Sequence, residues 1–90
     1  MIQIKQTKEF PNAEFEVGVE GSVYTVGLTE DYYKKLTREE VVPEDLIRRS
    51  FEFLLAREQK ESILKKFDLP EIYNYFPEFE VEVYTKNDLV

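Results

Sequence analysis

Apolar and polar residues alternate over the first third of the chain. Ala13, Phe15, Val17 and Val19 are separated by Glu14, Glu16 and Gly18, the period of two that marks a strand with one face in water. Glu20-Gly21-Ser22 is a turn signal, after which Tyr24, Val26 and Leu28 resume the alternation. Upstream, Ile2 and Ile4 open a similar run that stops at Phe10-Pro11-Asn12. Three runs joined by two tight turns predict an antiparallel meander over residues 2–10, 13–20 and 22–28.

The period then changes. Thr29 is a suitable N-cap, followed by Glu30 and Asp31 where the helix dipole favours negative charge, and the short helix so begun is expected to end near Leu36. Pro43 marks a second helix start, again with acids, Glu44 and Asp45, in its first turn. On this helix Phe53, Leu46, Ser50, Leu54, Ile47, Phe51 and Leu55 cover an arc of about 200°. A helix resting on one surface needs a stripe of only about 100°. The width therefore predicts two neighbours: the sheet on one side, and a later helix or a second copy of the chain on the other. Ser50, inside that arc, is expected to bond a backbone carbonyl one turn back.

Ile63, Leu64 and Phe67 fall about 140° out of phase with the earlier stripe, which predicts a break near Gln59–Glu61 and a new short helix running to Phe67. Asp68-Leu69-Pro70 stops it and starts another helical turn around Ile72–Phe76. Beyond Pro77, Phe79, Val81 and Val83 alternate with Glu80, Glu82 and Tyr84, the pattern of an edge strand or of an acidic tail. The expected class is α+β: an antiparallel sheet of three strands, four if this last run joins it, followed by a helical half of three to four short helices. One domain spans 1–90, with the β-meander at 1–28, the helical part at 29–76 and the acidic tail or edge strand at 77–90. At 90 residues, a second domain would leave each half too short for a core of its own.

Composition removes much of the familiar chemistry. There is no histidine and no cysteine, so the commonest general base, the thiolate nucleophile and the disulfide are all missing. Ser22, Ser50 and Ser62 have no histidine to activate them, and Gly18, Gly21 and Gly27 form neither a phosphate loop nor a dinucleotide fingerprint. Acids are plentiful, and a carboxylate-based, metal-dependent hydrolase is the enzyme reading that remains. Yet Glu14/Glu16 and Glu78/Glu80/Glu82 read as a wet strand face, and no turn-rich loop of oxygen ligands is visible. The expectation is no catalysis, no metal and no cofactor. No apolar run is long enough to span a bilayer and Met1-Ile2-Gln3-Ile4-Lys5 does not open a signal peptide, so a cytoplasmic protein with no membrane partner is expected.

The net charge of −7 is uneven. Residues 34–66 hold nine bases against seven acids, whereas 1–33 hold two against six and 67–90 one against six. A mildly basic middle between acidic ends is a weak dipole, not the footprint of a nucleic-acid binder.

From Val23 to Glu58 the order strand, short helix, turn, longer helix resembles the ribbon-helix-helix family of DNA-binding dimers, and Asp45-Leu46-Ile47-Arg48-Arg49-Ser50 is similar to the run that opens the second helix there. That resemblance implies base contacts from the outward strand positions Val23, Thr25 and Gly27, and phosphate binding at the start of the second helix. Val23 and Gly27 cannot read bases, Pro43 has no amide hydrogen to offer a phosphate, and Glu44 and Asp45 repel one. Contacts to nucleic acid would instead fall to Thr25, Lys34, Lys35, Arg38, Arg48 and Arg49. A second resemblance covers the last half. Phe51-Glu52-Phe53-Leu54-Leu55-Ala56-Arg57-Glu58, then Glu61-Ser62-Ile63-Leu64, Phe67-Asp68-Leu69 and Tyr75-Phe76-Pro77-Glu78, resembles a family of short bacterial proteins and implies no activity.

The leading expectation is thus a small non-catalytic interaction module that binds a protein partner or itself as a dimer; the alternative is a ribbon-helix-helix-like DNA-binding regulator. Tyr73, Tyr75, Phe76 and Phe79 surround Pro77 and either fasten the C-terminal segment to the core or, with Phe53, present a partner surface.

Overall fold

The computed structural model describes residues 1–85. Strands β1 (Ile2–Lys8), β2 (Asn12–Val19) and β3 (Ser22–Thr29) form the antiparallel meander. Between β2 and β3 the loop is Glu20-Gly21, both at positive φ, the backbone that a two-residue hairpin needs and that glycine adopts freely. Along β2 and β3 the alternation is clean. Ala13, Phe15, Val17, Val19, Tyr24, Val26 and Leu28 are buried on one face, while Glu14, Glu16, Val23, Thr25 and Gly27 lie on the other.

Helix α1 (Glu30–Thr37) starts where expected, with the Thr29 hydroxyl accepting from the Tyr32 N–H at 3.2 Å. It ends at Arg38 in the left-handed region. Helix α2 (Pro43–Leu55) begins on its proline, and Ser50 Oγ donates to the Leu46 carbonyl at 2.7 Å, which satisfies the one hydroxyl in its buried stripe. Two rings on α2 account for the wide arc. Phe51 faces the sheet, with ring centroids 5.4 Å from Tyr24 and 6.1 Å from Phe67. Phe53, about 200° further round, faces Phe79 at 5.3 Å and Phe76 at 5.8 Å. The second neighbour is thus a later helix of the same chain, which stands where a second copy was the other expectation.

The sheet is α+β as expected but mixed rather than wholly antiparallel. After a single 3-10 turn at Lys60–Ser62, β4 (Lys66–Asp68) pairs in parallel with β3, giving the order β1-β2-β3-β4. The helix expected to run to Phe67 is not formed. What wins is the free edge of β3: Thr25 N–H donates to the Lys65 carbonyl at 2.8 Å and Leu69 N–H to the Gly27 carbonyl at 2.9 Å. Those strand groups would otherwise lack protein partners, and a helix at 63–67 could not supply them. Gly27 leaves room for the Asp68 carboxylate, since a Cβ there would collide with Oδ1 and force that side chain to turn away.

Helix α3 (Glu71–Tyr75) follows, and then α4 (Phe79–Thr85) replaces the expected strand or tail; residues 86–90 of that stretch lie outside the described residues. Period two would put Phe79, Val81 and Val83 on one face. Instead Phe79 and Val83, one turn apart, are buried, and Val81 is 61% exposed. The acids between them have uses that a helix provides. Arg57 reaches Glu82 at 2.8 Å and Glu78 at 3.3 Å, two carboxylates one turn apart, and Tyr32 OH donates to Glu80 at 2.8 Å. Packing and pairing thus override the strand preference of the valines. Among the described residues no helix is long and apolar enough to cross a membrane.

Candidate functional site

The helices cover one face of the sheet and leave a groove at one end of α2. Its floor is Leu54 of α2, Ile63, Phe67 of β4 and Ile72 of α3, all buried. Its rim is apolar yet open: Leu64 is 52% exposed and Tyr75 66% exposed, with half-buried Phe76 beside them. Glu58, Glu71 and Ser62 are the polar lining, and the groove's volume is about 210 Å³.

Each wall has a local cause. Leu64 follows Ile63 directly in an extended backbone, so one side chain turns into the core and the next must turn out. Tyr75 and Ile72 lie three apart on α3 and so share the side of that helix that borders the groove. Glu71 is fixed from behind, its Oε2 accepting from the Asp68 N–H at 3.0 Å.

A second hollow, of about 170 Å³, lies where β2, β3 and β4 meet, lined by Glu14, Thr25, Lys66, Asp68 and Glu71 around Gly27. It is charged. No group of three or more acidic side chains among the described residues is placed to hold a metal ion.

The expected partner residues divide. Phe53 and Phe79 are core, 7% and 0% exposed, because each covers the other across the α2–α4 contact, so neither can form a partner surface in the folded chain. Phe76 and Tyr75 line the groove, and Tyr73, 47% exposed, stands on α3 outside it. The aromatic cluster around Pro77 therefore fastens the C-terminal segment with Phe76 and Phe79 and offers Tyr75 outward.

Of the residues of the nucleic-acid reading, Thr25 stands apart from the bases. Thr25 is on the open face of the sheet, whereas Lys34 and Lys35 of α1, Arg38 at its end, and Arg48 and Arg49 of α2 belong to the helical layer. Lys34 pairs with Glu30 at 3.5 Å, and Arg48 Nη1 donates to the Ile2 carbonyl at 2.9 Å. Strand β3 is bonded on both edges, so pairing with a second chain there would require β2 or β4 to leave.

Sequence reasoning missed most of the groove: Leu54, Glu58, Ile63, Leu64, Phe67, Glu71 and Ile72. The phase slip at Ile63–Leu64–Phe67 was the available signal, since an apolar run out of step with the core stripe leaves a member uncovered. Elsewhere burial raises the pKa of two phenols, Tyr33 and, further, Tyr32. Tyr32 is held well above the usual phenol range by burial first, then by its hydrogen bond to Glu80 and the charge of that carboxylate. This is a structural tie between α1 and α4, remote in role from the groove. No family model, curated protein or solved structure matches the chain.

Proposed function

We propose that the chain is a small non-catalytic interaction module that binds another protein through the groove between α2, the 63–67 segment and α3. The observation that carries this reading is the exposed pair Leu64 and Tyr75 standing over a buried apolar floor. Single exposed apolar residues are ordinary, but these two border one concavity with a buried apolar floor, an arrangement that can seat a partner's side chain. The absence of histidine and cysteine from the sequence supports the non-catalytic part. Self-association has less in its favour than a different partner, because α4 covers the side of α2 that a second copy would have served.

Site-specific photo-crosslinking in cells tests this. A photoreactive residue at Leu64 or Tyr75 is expected to give the same discrete adduct, and one at Val23, exposed on the open sheet face, is expected to give none. Adducts at Val23 alone would end the groove reading. For the DNA-binding alternative the measurement is titration with mixed-sequence duplex in about 50 mM salt, where a phosphate-contacting protein binds most strongly. The expected outcome is no binding.

A further inference from the structure

We infer that the segment seated in this groove is basic: one bulky apolar side chain on the floor, with lysine or arginine beside it in sequence. The inference rests on the interaction-module reading and adds the chemistry of the partner.

Size narrows the occupant. A volume of about 210 Å³ falls below the roughly 300–1,000 Å³ of pockets that enclose a cofactor or drug-sized ligand. It suits one large side chain projected from a partner backbone that stays outside. The floor of Leu54, Ile63, Phe67 and Ile72 offers such a side chain dispersion and burial.

Charge then selects its neighbours. Both charged groups of the lining are acids, Glu58 and Glu71. Glu58 makes no side-chain hydrogen bond or ion pair among the described residues, and Glu71 uses Oε2 for the Asp68 N–H. Bases close in sequence point elsewhere, except that Lys66, on the opposite face of β4 from Phe67, lines the second hollow with Glu71. Arg57 lies 3.7 Å over the Phe53 ring and pairs with Glu78 and Glu82. Lys60 Nζ donates to the Glu20 carbonyl at 2.7 Å, and Lys65 Nζ stands 4.9 Å over the Tyr24 ring. The Glu58 carboxylate is therefore left to meet an incoming chain, with Glu71, shared with the second hollow, beside it, and the net charge of −7 steers a cation toward the molecule from further away.

The test is an NMR titration of the full isotopically labelled chain with four synthetic peptides. Three share one central leucine and differ only in its flanks: lysines, serines or glutamates. A fourth keeps the lysines and replaces the leucine by alanine. The lysine–leucine peptide is expected to shift the amides of Ile63, Leu64, Ile72 and Tyr75, and to bind about tenfold or more tightly than its glutamate counterpart. Glu58→Gln is expected to weaken the lysine–leucine peptide about two- to fivefold, the range of a partly exposed ion pair, and to leave the serine peptide unchanged. Equal binding of the lysine and serine peptides at the groove would overturn the inference while the interaction-module reading survives. Lysine peptides that bind with or without leucine, or that shift the open sheet face instead, would show charge attraction alone and also overturn it. No groove shift with any leucine peptide would remove both.

Discussion

At the scale of single residues, Phe53 and Tyr32 separate structural roles from surface ones. Phe53 reads as a candidate contact from sequence alone because it stands at one end of an apolar arc too wide for a single neighbour. Its ring lies instead between Arg57 and the rings of Phe76 and Phe79. Phe53→Ala is therefore expected to cost about 3–5 kcal/mol, a large share of the stability of a small domain, measured by urea denaturation. A loss under about 1 kcal/mol would mean the ring is on the surface after all. Tyr32 gives a pH dependence with a definite sign. Its folded pKa is raised above the ordinary phenol value of 10.0, so its contribution is complete below about pH 10 and declines as pH rises beyond it. Tyr33 is also raised by burial, so the quantity to measure is the stability difference between the wild type and Tyr32→Phe. At pH 7 the variant should be less stable by about 0.5–1.5 kcal/mol, and the gap should narrow steadily above pH 10.

At the scale of elements, local signals succeeded where one neighbour decides the outcome and failed where several do. The meander, the Thr29 cap, the Pro43 start and the Ser50 back-bond were legible because each depends on residues a few positions apart. The 63–67 segment was not, since its strand exists to satisfy the edge of β3, some forty residues upstream. Nor was α4: its sequence alternates like a strand, and only the positions of Arg57, Tyr32 and Phe53 make a helix the better arrangement. The groove inherited both misreadings, for its walls come from the 63–67 segment and from α3 packed against α4. Alanine at two valines distinguishes the readings directly. Val83→Ala is expected to cost about 1–2 kcal/mol by thermal or chemical melts, through the apolar surface it removes from the core. Val81→Ala, at an exposed helical position, should cost clearly less. Equal losses would restore the strand, where both side chains share a face.

At the scale of the whole molecule, the architecture is a mixed four-stranded sheet with its helices on one side. The two broad surfaces of α2 are both occupied from within the chain. Sedimentation equilibrium is accordingly expected to return a single species of 10.8 kDa up to high micromolar concentration. A dimer would require a contact outside α2, and the open sheet face, where Lys5 pairs with Glu16 and Lys8 with Glu14 in register, would be the first place to look. The cover over Phe53 has an effect on how the protein is made. A nascent chain emerging from the ribosome can close its hairpins and wind α2 long before α4 exists, so one aromatic flank of α2 stays bare during synthesis. That flank closes only when Phe79 is delivered onto Phe53.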